Sequence, residues 1–217
     1  MSPTRTPRTP ADQRHRTIID AVIAAGEVDV TALADSLGVS QMTVRRDLRH
    51  LDEAGLIRRV HGGATPGRMS PGLRSATMQA EKAAIAARVA SMIQPRTAVG
   101  LDVGSTCTAT AHLLSRQREM TVVTASLYAA MEFDADKTSV FLLGGRLTAE
   151  GAVVGTGSTD EIHVALDTIV LGCGGLSAEH GATYHDWDET LVRRGLVKHA
   201  QTVILAADHS KFDLVRP

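Results

Sequence analysis

Two groups of residues in this chain have the types and spacing to do chemistry. Ser40, Gln41, Thr43, Arg45, Arg46 and Arg49 crowd one short stretch, followed by Arg59 and His61 beside Gly62-Gly63. Arginine can fork onto guanine and glutamine onto adenine, while Ser, Thr and Arg also bond phosphate, so this set can contact DNA. The second group is Asp102 with Gly104-Ser105-Thr106, together with Gly144, Gly145 and Lys211. Glycine lets the backbone come close to an anion, Ser and Thr supply hydroxyls, and a helix starting there presents unpaired N–H groups to a phosphate. Each signal has a plainer reading. Arginine pairs on helices are usually solvated surface, a bare Gly-Ser-Thr is more often a strand-to-helix turn, and Gly-Gly pairs are often only turns. What decides is whether the surrounding elements put these residues where the chemistry needs them.

For the first group they do. Ser40 can accept from the N–H of Thr43 and start a helix over 41–54, with Gly55 just past its end. Val44, Leu48 and Leu51 then make one apolar stripe, leaving Gln41, Met42, Arg45, Arg46 and Arg49 away from it. Asp47 is the exception, because a carboxylate facing phosphate would be repelled; it reads as a structural residue orienting Arg side chains or a neighbouring helix terminus. Upstream, Ile18, Ile19, Val22 and Ile23 set a helical period over 12–25, closed by Gly26. Val28 and Val30 suit a short extended segment, and Thr31 is expected to cap a second helix carrying Leu33, Ala34 and Leu37 inward, stopped by Gly38. The spacing predicts a helix-turn-helix whose second helix enters the major groove. A strand over 56–60 and a Gly62-Gly63 reversal form its hairpin wing.

At 217 residues and 43% hydrophobic, the chain can hold a small and a medium domain. The net charge is −1, so the basic signal is local: Arg45, Arg46, Arg49, Arg58 and Arg59, with the leading Arg5, Arg8, Arg14 and Arg16. No apolar run reaches bilayer length and the start lacks a signal-peptide core, so a cytoplasmic protein without a membrane partner is expected. Cys107 and Cys173 lack C-x-x-C spacing, which argues against a disulfide framework or structural zinc. The domains are expected at 1–66 (with 1–10 disordered), a linker over 67–77 where Pro and Gly break any period, and 78–217.

From Ala80 onward the pattern alternates helices with short apolar strands, the signature of a mostly parallel α/β sheet covered on both faces. Strands are expected at 98–101, 121–124, 140–143, 168–172 and 202–206. Helices are expected around Ile85, Val89, Met92 and Ile93, after Thr106, and at 127–132, 158–165 and 189–199. Ligands bind beyond the carboxyl ends of such strands. Here those ends carry Asp102 to Thr106, Thr124 to Ser126, Gly144-Gly145-Arg146, Gly172 to Gly175, and Asp208 to Lys211.

The order of motifs resembles the DeoR family of bacterial transcriptional regulators over nearly the whole chain. The matching residues are Val39-Ser40, Thr43, Arg45-Arg46-Asp47-Leu48, the wing Arg59-Val60-His61-Gly62-Gly63-Ala64, Asp102 with Gly104-Ser105-Thr106, Leu143-Gly144-Gly145, Val154-Gly155, and Asp208 with Ser210-Lys211-Phe212. The resemblance implies a winged helix-turn-helix repressor, usually a homo-oligomer (dimer or tetramer). It implies release from operator DNA by a phosphorylated sugar, which is an effector and not a cofactor, and a sensor domain similar to ribose-phosphate isomerases and aminosugar-phosphate deaminases. Two departures stand out. Thr124-Ala125-Ser126 replaces the family's usual Thr-Asn-Ser, and the chain stops at Pro217 where relatives commonly add a strand and helix. Two other functions compete. A sugar-phosphate isomerase or deaminase fused to a DNA-binding domain would use Asp102, Glu150, Asp186 or Asp188 as base; a metal sensor would use His180, His185, Asp186 and Asp188. Fold kinship does not carry chemistry, and the His/Asp spacings match no common metal site, so the regulator is the expected reading and catalytic residues are none.

Overall fold

A computed structural model describes residues 10–54, 56–66, 77–117, 119–155 and 165–216. Gly55, Arg5, Arg8, the linker over 67–76, the helix expected at 158–165, and the Ile23 side chain lie outside the described residues. The chain divides into two compact units, Met1–Leu73 and Arg74–Pro217.

In the first unit, α1 (Pro10–Ala25), β1 (Val28–Asp29), α2 (Val30–Leu37) and α3 (Gln41–Glu53) precede the wing strands β2 (Ile57–Val60) and β3 (Gly63–Pro66). The apolar stripe of α3 closes onto α1 and α2: Ile18, Val22, Leu33, Val44, Leu48 and Leu51 share one core. Capping of α2 differs from expectation. Asp29, not Thr31, is the cap, accepting from Thr31 N at 2.7 Å and Ala32 N at 3.2 Å. A carboxylate one residue before the helix reaches both N–H groups, and those bonds hold it below the usual carboxylate range.

The strands order β1-β3-β2, with Asp29 opposite Gly63. The turn between β2 and β3 falls on His61-Gly62, so Gly63 is not part of the reversal but a strand residue that allows close approach. A Cβ there would sit 2.0 Å from the Val28 carbonyl. Gly63→Ala is therefore expected to separate β1 from the wing and destabilise this unit by about 1–3 kcal/mol, the usual cost of overpacking. Amide hydrogen exchange in β2 and β3 would report it.

Asp47 is buried on α3 and fixes the packing of α1. Arg14 donates to it through Nε at 2.6 Å and Nη2 at 3.2 Å, and His15 Nε2 lies 3.1 Å away. His15 also stacks on His50 with ring centroids 5.2 Å apart. The structural role expected of Asp47 holds, but its arginine comes from α1, so Arg14 is drawn inward and is not part of a basic DNA-facing arm. Burial pushes the Asp47 carboxyl up; the Arg14 and His15 bonds outweigh it, and its pKa lies below the ordinary value. Such a group contributes stability above the unfolded aspartate value, about pH 4, and that stability is lost as pH falls through the lower folded value. Asp47→Ala should cost about 1–3 kcal/mol at pH 7 by leaving its partners unpaired. In hydrogen exchange of α3 amides, the gap between wild type and variant should narrow from pH 4 downward.

The second unit runs α4 (Gln79–Met92), β4 (Ala98–Leu101), α5 (Ser105–Leu114), β5 (Thr121–Thr124), α6 (Leu127–Ala130), β6 (Ser139–Leu142), β7 (Gly145–Leu147) and β8 (Val153–Gly155). It continues with β9 (Leu166–Leu171), β10 (Gly175–Ser177), β11 (Gly181–Thr183), α7 (Trp187–Lys198), β12 (Ala200–Leu205) and a 3₁₀ turn His209–Lys211. Five parallel strands order β12-β9-β4-β5-β6. Alternate residues feed opposite faces: Val99, Leu101, Val122 and Val170 pack with α4 and α5, whereas Val123, Ile169 and Leu171 pack with Leu196 of α7. That two-sided burial is why the strands read as continuous apolar runs. Met92 departs from its expected inward place and is exposed, while Val89 and Ile93 are buried. Two short hairpins, β7-β8 and β10-β11, add to the expected elements.

Candidate nucleic-acid interface and effector site

The solvent face of α3 gathers the first group. Ser40 caps the helix, its hydroxyl accepting from Thr43 N at 3.2 Å and lying 3.0 Å from the Thr43 hydroxyl. Gln41 donates to the Thr31 hydroxyl at 3.2 Å, and Arg45 donates to Gln41 Oε1 at 3.3 Å. A polar chain thus runs from α2 to α3 and orients two of the expected base readers. Arg46 and Arg49 are exposed on the same helix, and Met42 beside them is 73% exposed. On the wing, Arg59 and His61 are exposed, and the Arg59 backbone N–H donates to Asp52 at 3.2 Å, tying the wing to α3. A capped helix with a basic, adjustable outer face and a strand pair beside it can enter a major groove while the wing meets the DNA backbone.

In the α/β unit, β5 and β6 lie to one side of β4, and β9 and β12 to the other. The carboxyl ends of β4 and β9 therefore flank the point where strand order reverses, the usual ligand crevice of such sheets. Gly104 stands there with φ +149° and ψ 156°, a conformation that only glycine adopts readily, and α5 begins at Ser105. Nothing lies within 4 Å of where a Gly104 Cβ would be, so the backbone is approachable. Ser105 is half-buried and Thr106 is buried at the first turn.

Asp102 does not present its carboxylate as an unoccupied acceptor. It takes Val103 N at 2.7 Å, Gly172 N at 3.1 Å and Arg193 Nε at 2.8 Å, and so joins β4, β9 and α7. Sequence reasoning missed Arg193, which is buried and paired with Glu189 at 2.7 Å. Burial opposes its charge, but Asp102 and Glu189 outweigh that and hold its pKa above the usual arginine value. Glu189 itself is pushed up by burial, partly offset by Arg193. The Tyr184 ring lies 4.2 Å from the guanidinium carbon, and burial raises its phenol to about 12.

Lys211 ends the turn after β12. In that turn Asp208 accepts from Ser210 N at 3.0 Å and from the Ser210 hydroxyl. Burial works against the Asp208 charge, and Ser210, Lys211 and Lys82 outweigh it to keep its pKa low. Gly144-Gly145 follows β6, two strands from β4, and opens β7, whose Arg146 pairs with Asp188 of α7 at 3.1 Å. Ala125, at the end of β5, is buried and its carbonyl accepts from Val153 N at 2.7 Å.

Comparison with known proteins gives this arrangement a lineage. Residues 14–66 match the model of the DeoR-like helix-turn-helix domain, and residues 77–217 match that of the DeoR C-terminal sensor domain. The chain belongs to the DeoR family. The glycerol-3-phosphate regulon repressor of Escherichia coli (strain K12) is 34% identical over 207 residues, covering 92% of this chain and 82% of its own length. The HTH-type transcriptional regulator GlpR of Haloferax volcanii is 34% identical over 206 residues, covering 92% of this chain and 81% of its own. A D-ribose-5-phosphate isomerase solved with phospho-erythronic acid is 17% identical with a TM-score of 0.47, covering 62% of this chain and 54% of that one. A likeness this loose carries no argument about chemistry.

The chain is accordingly a DNA-binding transcriptional regulator of the DeoR family and not an enzyme. Three of the residues weighed for catalysis or metal binding make contacts within the α/β unit. Asp186 caps α7 by accepting from Glu189 N at 3.0 Å, Asp188 pairs with Arg146, and His180 N donates to the Ser177 hydroxyl at 3.0 Å. Among the described residues, no three His, Cys, Asp or Glu side chains are grouped to hold a metal ion. No described helix is long and apolar enough to cross a membrane.

Proposed function

We propose that this regulator represses a carbohydrate catabolic operon and leaves its operator when a phosphorylated sugar or polyol binds the α/β unit. The observation that carries the reading is the crevice between β4 and β9, where Gly104 exposes the N-terminus of α5 beside Ser105 and Thr106, on a chain whose other unit is a winged helix-turn-helix. The first-turn N–H groups of α5 have no carbonyl partners in their own helix and suit a phosphate. Lys211, in the turn that follows β12, supplies a cation; Gly144 and Gly145 follow β6, the outer strand on the other side of β4.

DNA is read by Ser40, Gln41, Thr43, Arg45, Arg46 and Arg49, with Arg59 and His61 on the backbone. A homo-oligomer places two such helices in successive major grooves about 34 Å apart, so a modest change in their separation weakens specific binding. The effector must bind the released arrangement more tightly, since only differential affinity shifts the equilibrium. The regulator of Escherichia coli named for glycerol 3-phosphate makes that compound the first to test.

Trp187, the single tryptophan, is exposed at the start of α7, the helix that carries Arg193. Titrating the full chain with glycerol 3-phosphate, ribose 5-phosphate and fructose 6-phosphate should change its fluorescence saturably for one of them. No saturable change with any phosphorylated compound, confirmed by calorimetry, would remove the reading.

A further inference from the structure

Arg193 has a buried donor left over. Its Nε serves both Asp102 oxygens at 2.8 Å and its Nη2 serves Glu189 at 2.7 Å, while Nη1, fully enclosed, has no hydrogen-bond partner among the described residues. Buried donors of a charged group are rarely left unpaired, because the desolvation penalty is not recovered. The guanidinium is fixed through Asp102 to the residue after β4, and through Asp102 and Gly172 N to the residue after β9, so it stands at the strand-order reversal. Tyr184 covers one of its faces, so a ligand oxygen reaches the enclosed Nη1 only as the side chains around it give way.

The charge balance says what kind of atom belongs there. Asp102 and Glu189 both contact this one cation, so a phosphate at Nη1 would lie near two carboxylates. A neutral hydroxyl or carbonyl oxygen meets no such repulsion and satisfies the donor. Resting on the proposed reading of the crevice, we infer that Arg193 is a specificity-determining residue that binds an oxygen on the carbon chain of the phosphorylated effector, while the α5 N-terminus takes the phosphate. The site thereby distinguishes a sugar or polyol phosphate from inorganic phosphate, and the same guanidinium carries the ligand's presence into α7 and β4.

The test compares calorimetric affinities of the full-length protein for inorganic phosphate and for glycerol 3-phosphate, ribose 5-phosphate and fructose 6-phosphate, in wild type and Arg193→Lys. Lysine keeps the charge and loses Nη1. The best phosphorylated compound should bind wild type at least about tenfold more tightly than inorganic phosphate, as expected for one hydrogen bond to a charged group. In the variant that preference should collapse while the affinity for inorganic phosphate stays within about threefold. A folded variant that keeps the preference, or that loses inorganic phosphate as well, overturns the role given to Arg193. Should the variant fail to fold, the ¹⁵N guanidinium resonances of the wild-type protein decide: a buried arginine signal that shifts with the sugar phosphate but not with inorganic phosphate supports the inference, and an unmoved one overturns it. Wild type that binds no phosphorylated compound instead overturns the crevice reading beneath it.

Discussion

Arg46→Ala is expected to raise the Kd for specific operator DNA on the order of tenfold to hundredfold while leaving effector affinity and the melting temperature unchanged. Arg46 is exposed in the second turn of α3, and unlike Arg45, which leans on Gln41, its guanidinium is not engaged by a neighbouring side chain among the described residues. A bidentate arginine on guanine is worth about 1–3 kcal/mol of base discrimination. The core residues of α3, Val44, Leu48 and Leu51, are untouched by the change, so folding should not respond. Measured at several salt concentrations, a base reader loses specific binding with little change in non-specific binding. A phosphate contact instead weakens every sequence alike and lowers the salt slope by about one. Unaltered operator affinity would remove Arg46 from the interface.

The second large effect is expected at Gly104. With φ +149° and ψ 156°, any other residue is strained there although open space surrounds its Cβ, so the cost is conformational and not steric. Strain of this kind costs on the order of 1–3 kcal/mol, which the turn relieves by rearranging and moving the first turn of α5. Gly104→Ala should therefore weaken the phosphorylated effector on the order of tenfold to hundredfold and leave operator affinity near wild type, producing a repressor that its inducer no longer releases. Binding isotherms for effector and operator on the same preparation separate the two. Effector affinity equal to wild type would show that the phosphate does not use this turn.

What could be read from the sequence was local. Ser40 as a cap, the Val44/Leu48/Leu51 stripe and the two-sided apolar strands each depend on residues a few positions apart, and periodicity reports those directly. What escaped depends on distance along the chain. Asp47 meets Arg14 and His15 from α1, and Asp102 meets Gly172 and Arg193 from β9 and α7; no local pattern encodes such pairs. Arg193 was hidden for a further reason: four residues after Glu189 it mimics an ordinary solvated helix pair. The available signal was that it lies three residues before the buried Leu196, on the inward face of α7. Thr31 and Asp29 are both good caps, and Val30, which suits an extended segment by its type, is the first helical residue, so α2 begins two residues before the start that a Thr31 cap implies. The three-residue strands β7, β8, β10 and β11 were too short to show alternation, and Gly145, Gly155, Gly175 and Gly181 at their ends read as loop.

The central claim is that an effector in the α/β unit controls DNA binding by the winged unit. Fluorescence anisotropy of the full chain on DNA from upstream of its own gene cluster, at fixed salt, tests it most directly when titrated with glycerol 3-phosphate, ribose 5-phosphate, fructose 6-phosphate and inorganic phosphate. The account predicts sequence-specific binding that one phosphorylated compound releases, with inorganic phosphate inert at the same concentration. Specific binding that no phosphorylated sugar or polyol alters would contradict it.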